Sequence, residues 1–247
     1  MPSNAALLKC STSYDFGKIT SSCNVYLPGR CKNLDSIWLS RTFDSFDDRP
    51  AKYIIEFDAS LTGVGILWFH RMENAEVCRG GGVVNLSRLH FNSDSSNQNL
   101  AEFVAALLGV IGLVKLGITV VDIEFIGDSM TALAWAKSNV AKGERATNAA
   151  VIFTMLFLKF GIDVKETCHI SAKDNYRCDR LSRLKESGRE IISLVADFGF
   201  EGDRILRFES DIAVTSLIDC CSPNILFTNE SDFAIFWNTI RNSIENI

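Results

Sequence analysis

The sequence of 247 residues is long enough for one large domain, or for one domain of ordinary size with extensions. Its hydrophobic content of 47% and charged content of 22% are those of a globular protein with ample material for a core. The formal net charge of −5 argues against a protein that coats nucleic acid non-specifically, although a local basic face can still grip a short duplex.

The cysteines and the apolar segments indicate a compartment. The eight cysteines form no C-x-x-C pair and no zinc-type spacing, which favours scattered reduced thiols over a disulfide framework. The N-terminus, M-P-S-N-A-A-L-L-K-C, lacks the shape of a signal peptide. The apolar runs Phe103–Val114 and Val151–Leu158 are too short to span a bilayer and predict buried helices. We therefore expect a soluble, intracellular protein with no membrane partner, in either the nucleus or the cytoplasm.

Strand patterns begin after a poorly patterned N-terminal lead-in, residues 1–50, to which no chemistry is assigned. Tyr53–Phe57 is a β-type run that ends at Asp58. Two further strands are predicted at Ile66–Phe69 and Gly80–Val84, and the glycines of the second indicate a bulge or a close approach.

Helices dominate the next part of the chain. A polar loop at 92–99 leads into an apolar helix, Leu100–Leu116, with Glu102 in its opening turn. A strand, a short helix, a long helix and a strand follow, and they are predicted at Val120–Ile126, after Ser129, at Thr147–Phe160 and at Ile162–Cys168. With a last helix, the order βββαβααβα predicts an α/β fold in which helices pack on a five-stranded mixed sheet. Residues 187–247 predict a mostly helical C-terminal extension with a helix near Asp232–Ile244.

The most distinctive motif lies at the last strand and helix of this pattern. From His169 to Arg183 the chain reads H-I-S-A-K-D-N-Y-R-C-D-R-L-S-R. This run resembles the last motif of retroelement-type ribonuclease H domains, H-[IV]-x-G-K-x-N-x-x-A-D-x-L-S-R. It departs from the motif at Ala172, where glycine is usual, and at Cys178, where alanine is usual in retroelements and cysteine occurs in cellular relatives. The resemblance implies a ribonuclease H-like domain over residues 51–186.

Four carboxylates match the acidic residues of this family in order and in context. Asp58 lies in I-E-F-D-A-S-L-T-G-V-G, similar to the family motif D-A-S-x-x-G-x-G, and Glu102 lies in N-L-A-E-F, similar to N-x-x-E. Asp128 lies in G-D-S, and Asp179 in C-D-R-L-S-R completes the set. In the family fold these positions converge at one edge of the sheet. The resemblance implies that all four are catalytic residues and ligands of two Mg²⁺ ions, with Mn²⁺ as a substitute.

The chemistry of phosphodiester hydrolysis accounts for such a set. In-line hydrolysis needs an activated water on one side of the phosphorus and charge relief on the leaving oxygen opposite, and two Mg²⁺ ions about 4 Å apart supply both. Without a metal, clustered carboxylates repel one another and raise each other's pKa values. Singly, each residue has a local alternative, such as a strand-ending turn for Asp58 or a helix N-cap for Asp128. The shared order, flanking residues and topology favour the metal cluster.

His169 has two alternative positions in the family pattern. Its spacing to Asp179 equals that of a loop histidine that assists product release in cellular ribonucleases H. The H-I-x-x-K-x-N context instead resembles retroelements, in which this histidine ends the strand. The short polar turn Ser171–Asn175 favours the strand end and predicts a part-buried imidazole directed away from the metals, with at most an accessory role.

Substrate contacts are less specific, because acidic and basic residues nearly balance over residues 52–186. Polar side chains near the carboxylates are candidates for sugar and phosphate contacts, and basic ones for phosphate contacts. The polar candidates are Asn97, Gln98, Asn99, Ser129, Thr131 and Asn175, and the basic ones are Arg145, Lys173, Arg177, Arg180 and Arg183. Asn175 has the alternative of bracing its own turn or the active-site loop, and each basic residue has that of a solvated surface role.

The sequence thus predicts a retroelement-derived ribonuclease H that hydrolyses the RNA strand of an RNA:DNA hybrid duplex. I-E-F-D-A-S-L-T-G-V-G with C-D-R-L-S-R is more similar to DIRS-like elements than to the gypsy class. No Y-x-D-D-type polymerase motif occurs, so a reverse transcriptase encoded upstream or separately is a further expected partner. One alternative is a catalytically inactive ribonuclease H-fold module for nucleic-acid binding or assembly. Another is a resolvase- or integrase-like nuclease, although those use fewer carboxylates at other spacings.

Overall fold

The structure, a computed structural model, divides the chain into two compact units. It describes the strands within residues 7–44, and residues 51–87, 95–141, 144–184, 205–208, 211–221 and 230–247. The smaller unit holds an antiparallel sheet in the order β1-β2-β3, within the lead-in that the sequence left unassigned. Its strands are β1 (Leu7–Asp15), β2 (Lys18–Tyr26) and β3 (Trp38–Asp44).

The larger unit is built on a six-stranded mixed sheet in the order β8-β7-β4-β5-β6-β9. Its strands are β4 (Tyr53–Ala59), β5 (Gly63–Arg71), β6 (Glu76–Asn85), β7 (Val121–Gly127), β8 (Ile162–His169) and β9 (Ile205–Arg207). β4, β5 and β6 are antiparallel, whereas β7 runs parallel to β4, β8 to β7 and β9 to β6. The predicted ribonuclease H-like fold class is confirmed by this topology. The predicted strand number is wrong by one, because β9 has only three residues and carries no readable pattern.

The helices of the larger unit follow the predicted order. They are α1 (Ser95–Lys115), α2 (Met130–Ser138), α3 (Glu144–Phe160), α4 (Tyr176–Ser182) and α5 (Ile212–Cys220), and the chain ends with α6 (Glu230–Glu245). The predicted start of α1 at Leu100 is wrong, because the polar residues from Ser95 onward are already helical. Glu102 therefore lies two turns inside the helix, away from the positive end of the helix dipole.

The main core lies between the sheet and α1 and α3. The Trp68 indole Nε1 donates a hydrogen bond of 2.8 Å to the Gly109 carbonyl of α1, which fixes the helix over β5. Phe125 of β7 packs on Phe153 of α3 with ring centroids 5.8 Å apart. α1 contains a stretch, Asn97–Lys115, that is long and apolar enough to cross a membrane, but 83% of its apolar window is buried inside the unit, as in a core helix.

The opposite face of β4 and β5 carries α4. Ile54, Leu67 and Phe69 form one buried cluster with Cys178 and Leu181 of the helix. Alternate residues of a strand share one face. This packing therefore places α4 beside the end of β4, where the candidate site lies.

Segments beyond residue 186 also pack on the larger unit. The Lys159 ammonium of α3 donates a hydrogen bond of 2.6 Å to the Ile244 carbonyl, and Lys115 of α1 pairs with Asp211, the N-cap residue of α5. The described part of residues 187–247 thus supplies one strand as well as helices. The limits 51–186 and 187–247 stay a prediction.

Candidate functional site

Three carboxylates from three separate elements meet at one edge of the central sheet. Asp58 lies near the end of β4, Asp128 directly follows β7, and Glu102 lies on α1. β4 and β7 are adjacent parallel strands, so their C-terminal ends come to the same edge. One oxygen atom of each carboxylate lies within 4.8 Å of an oxygen of the other two. These three residues are hereafter the carboxylate cluster.

Glu102 is held in the cluster by the first turns of α1. The Gln98 amide Nε2 donates to the Ala59 carbonyl over 2.6 Å and to Glu102 Oε1 over 2.9 Å, which ties the helix to the end of β4. Glu102 Oε2 is buried and has no hydrogen-bond partner among the residues that the structure describes. A buried carboxylate oxygen without a partner is costly, which indicates that a ligand belongs there.

Asp58 is held from the opposite face of the sheet by α4. The Ser182 hydroxyl donates to Asp58 Oδ2 over 2.6 Å. The Asn175 amide Nδ2 donates to the Phe57 carbonyl over 3.0 Å and lies 3.4 Å from Asp58 Oδ1. Asp58 is 5% exposed, so its carboxylate depends on these donors for the solvation it has lost.

The pKa values of two cluster carboxyls are strongly perturbed. Burial raises the pKa of Asp58 to about 6, and repulsion from Asp128 and Asp179 adds to the effect. Burial raises the pKa of Glu102 to about 9, with further repulsion from Asp58 and Asp128. Carboxyls in this state take up protons near neutral pH unless a cation replaces the protons.

Asp179 stands at the margin of the cluster. It lies in the first turn of α4, as predicted, and close enough to raise the pKa of Asp58. Its Oδ1 accepts from Arg183 Nε over 2.7 Å, an exposed pair with one helical turn between the residues. Pairs of this kind contribute only about 0.3 to 0.5 kcal/mol, so Asp179 is easily released from Arg183. In the described structure, three of the four predicted carboxylates therefore lie close together, and the fourth, Asp179, lies beside them.

His169 is the last residue of β8, in line with the strand-end alternative. The predicted part-burial of its imidazole is wrong, because the residue is exposed. Its Nε2 lies 3.1 Å from the backbone carbonyl oxygen of Asp128, and the direction of the ring away from the metals stays a prediction. The parallel register pairs His169 with Gly127, which brings the imidazole to the residue that follows β7.

Two of the predicted substrate contacts are engaged inside the protein. Asn175 is fully buried and bonded to β4, so it braces the site and does not contact a substrate. Arg177 donates to Glu56 Oε2 over 2.8 Å and lies over the Phe69 ring at 5.0 Å from its centroid. The guanidinium therefore has a structural role in joining α4 to the sheet.

Most of the other predicted contacts lie near the surface. Lys173 is exposed in the turn before α4, and Asn99 is partly exposed on α1. Ser129 accepts a hydrogen bond from the Ala132 amide and caps α2, so the N-cap alternative is observed for this residue and not for Asp128. Thr131, Arg180 and Arg183 keep solvent exposure, Asn97 is buried, and the Arg145 side chain lies outside the described residues.

Two residues of the site were not predicted. Glu56 is 4% exposed, faces α4 like Asp58, and has its pKa raised by burial in spite of the Arg177 cation. Ser182 donates to Asp58 across the interface of β4 and α4. The two-residue spacing from Asp58 is a signal that would have placed Glu56 on the same face of the strand. No local pattern marks Ser182, because a serine at a helix end has many roles.

The carboxylate cluster fits a hard divalent cation. Its donors are carboxylate oxygens, which Mg²⁺ and Mn²⁺ prefer. A bound cation would supply the partner that Glu102 Oε2 does not find among the described residues, and it would offset the repulsion that helps to raise the pKa values of Asp58 and Glu102. The residues present therefore favour cation binding over a purely structural role.

Comparison with known proteins finds likeness at the level of structure only. No family model and no curated protein sequence matches the chain. Ribonuclease H1 from the halophilic archaeon Halobacterium salinarum is 18% identical, with a TM-score of 0.42, and covers 56% of this chain and 98% of its own. LC11-RNase H1 in complex with an RNA/DNA hybrid is 16% identical, with a TM-score of 0.42, and covers 53% of this chain and 93% of its own.

A third solved structure is of the same kind. The N-terminal ribonuclease H domain of a Mycobacterium tuberculosis protein is 19% identical, with a TM-score of 0.35, and covers 52% of this chain and 94% of its own. At these identities the likeness concerns the fold alone. The function has to be inferred from the residues of the site.

Proposed function

We propose that the protein is a metal-dependent endoribonuclease of the ribonuclease H type, which hydrolyses the RNA strand of RNA:DNA hybrids. One observation carries the proposal: Asp58, Glu102 and Asp128 converge within 4.8 Å at the sheet edge, and one buried Glu102 oxygen has no hydrogen-bond partner in the described part of the chain. Such a cluster is expensive for stability and is well suited to a divalent cation.

The proposed ligands are the three cluster residues together with Asp179. Two Mg²⁺ ions, or Mn²⁺ in their place, would supply an activated water and charge relief on the leaving oxygen. Asp58 lies close enough to Asp128 and to Asp179 for both to raise its pKa, and close enough to Glu102 to raise the pKa of that residue, which suits a set of shared cation ligands. Asp179 reaches its position by giving up a weak, exposed bond to Arg183.

The sequence motifs support the hybrid substrate and the retroelement origin. D-A-S-L-T-G-V-G and C-D-R-L-S-R resemble retroelement ribonucleases H, and both motifs contribute to the site through Asp58 and Asp179. Only six residues connect the end of β8 to α4, in keeping with the shorter connection of that type. A reverse transcriptase encoded upstream or separately remains the proposed partner, and DIRS-like elements the proposed source.

The function is tested by a panel of labelled substrates. The purified protein is incubated with an RNA:DNA hybrid, double-stranded RNA, double-stranded DNA and single-stranded RNA, each with Mg²⁺ and with a chelator. We expect cleavage of the RNA strand of the hybrid alone, and only with the metal. Binding of the hybrid without cleavage would instead support an inactive nucleic-acid-binding module.

Matched variants exclude a contaminating nuclease. Asp128→Asn, at the carboxylate cluster, should reduce cleavage more than about a hundredfold, because it removes a ligand from the charge-stabilising centre. Asp122→Asn changes a carboxylate at the opposite end of the same strand, where it pairs with Lys165, and should leave cleavage unchanged. Equal activity of the two variants would contradict the proposal.

A further inference from the structure

Ser182 makes a short hydrogen bond to the carboxylate cluster. It is the last residue of α4, it is 2% exposed, and its Oγ lies 2.6 Å from Asp58 Oδ2 and 2.9 Å from the Asp179 carbonyl oxygen. A hydroxyl has a single proton to donate. The distance to Asp58 is that of a charge-assisted bond to a carboxylate, which is about twice as strong as a neutral one, so Asp58 receives the proton.

The position of Ser182 is set by contacts other than this bond. Ser60 Oγ donates to the Ser182 carbonyl over 3.1 Å. A Cβ atom at Gly63 would overlap that carbonyl oxygen, and one at Gly65 would overlap the carbonyl oxygen of Cys178. The two glycines thus let α4 lie directly on β5. The hydroxyl is delivered to the end of β4 by packing and does not depend on the charge of Asp58.

The other donor to Asp58 is weaker. Asn175 Nδ2 is 3.4 Å from Asp58 Oδ1 and makes its better bond, at 3.0 Å, to the Phe57 carbonyl. Ser182 is therefore the main group that fixes the orientation of the Asp58 carboxylate. No other side chain among the described residues donates to Asp58 Oδ2.

We infer that Ser182 is a positioning residue that holds the Asp58 carboxylate in the orientation in which it binds the divalent cation. The inference rests on the proposed function, in which Asp58 is a metal ligand. Groups that orient a ligand in this way typically contribute a factor of about 10 to 100 to metal affinity or activity. Ser182 itself touches neither the cation nor the substrate.

The test compares Ser182→Ala and Ser182→Cys with Thr154→Ala. Cysteine fills nearly the same space as serine but is a weak donor, so it keeps the packing if alanine does not. Thr154→Ala removes a buried hydroxyl of α3 that donates to the Ala150 carbonyl over 2.9 Å and takes no part in placing Ser182, so it reports on stability alone. Mg²⁺ affinity is measured by titration calorimetry, stability by urea unfolding, and kcat and KM by hybrid cleavage.

Both Ser182 variants should bind Mg²⁺ about 10- to 100-fold more weakly and lose a similar factor in kcat at fixed Mg²⁺, with KM for the hybrid unchanged. Thr154→Ala should lose stability and keep its Mg²⁺ affinity within about threefold. Wild-type Mg²⁺ affinity in both Ser182 variants would overturn the inference, and cleavage by the wild type would leave the proposed function intact.

The proposed function and the positioning role of Ser182 can be contradicted by different results. A wild type that binds Mg²⁺ but cleaves no hybrid would contradict the proposed function, and weaker Mg²⁺ binding by the Ser182 variants would still support the positioning role. A wild type that binds no Mg²⁺ would overturn the positioning role, because Asp58 would then not be a ligand.

Discussion

The buried carboxyl of Glu102 should destabilise the metal-free protein, and Glu102→Gln should relieve the cost. The pKa of Glu102 is raised by burial from 4.5 to about 9, so the folded protein holds this carboxyl protonated at pH 7 while the unfolded chain holds it ionised. Glutamine resembles the protonated side chain and keeps an acceptor for the Gln98 amide. The substitution therefore removes the proton uptake and keeps the packing.

The size of the effect follows from the pKa values. The 2.5 pH units between pH 7 and the ordinary pKa of 4.5 correspond to about 3 kcal/mol of stability lost by the wild type. Because the folded-state pKa is raised, the carboxyl lowers stability progressively from pH 4.5 upward until about pH 9. The gain from Glu102→Gln should therefore be less than about 1 kcal/mol at pH 5 and on the order of 3 kcal/mol at pH 7.

Urea unfolding in the presence of a chelator measures this difference at pH 5 and at pH 7. Glu166→Gln, which changes an exposed glutamate of β8, serves as the control and should shift stability by less than about 0.5 kcal/mol at either pH. Added Mg²⁺ should stabilise the wild type and not Glu102→Gln. A variant that is less stable than the wild type at pH 7, or a gain that does not depend on pH, would refute the reasoning.

Three further changes test other parts of the site. Arg177→Met should lower the free energy of unfolding by about 2 to 3 kcal/mol at pH 8, because it leaves the buried Glu56 carboxylate unpaired. Burial raises the pKa of Glu56, so the loss should shrink as the pH falls and this carboxyl takes up a proton; a loss in urea unfolding that does not depend on pH would contradict this. Gly65→Ala should cost about 1 to 3 kcal/mol in the same assay, because its Cβ overlaps α4 at Cys178, and an unchanged urea midpoint would show that the helix yields. His169→Ala should leave the melting temperature unchanged and alter turnover by less than about tenfold, or 1.4 kcal/mol of barrier, because the imidazole is exposed and bonds only a backbone carbonyl. A larger loss of turnover would return this histidine to the mechanism.

The sequence predicts the placement of those site residues that lie next to a recognisable strand or at the start of a recognisable helix. Asp58 and Asp128 end strands whose β-type runs are readable, and parallel pairing then brings the two carboxylates to one edge. Asp179 lies in a segment with helical spacing that comes after a polar turn, and the structure places it in the first turn of α4. These placements need only strand and helix assignments together with the known handedness of the connections.

Contacts between distant segments could not be predicted. The start of α1 looks like a polar loop, and it is helical where Gln98 bonds the Ala59 carbonyl, 39 residues away. The His169 imidazole contacts a carbonyl 41 residues away, and the bond from Ser182 to Asp58 spans 124 residues. Side-chain periodicity contains no information on such pairs, because it reports only which face is apolar.

The chemical identity of the cleaved ends tests the central claim most directly. A hybrid with an internally labelled RNA strand is incubated with Mg²⁺ and the wild-type protein or Asp128→Asn. With the wild type, in-line attack by water at the carboxylate cluster should give products with 3′-hydroxyl and 5′-phosphate ends. Asp128→Asn should give almost no product. Products that end in 2′,3′-cyclic phosphate, which arise from attack by the neighbouring 2′-hydroxyl, or undiminished cleavage by Asp128→Asn, would contradict the account.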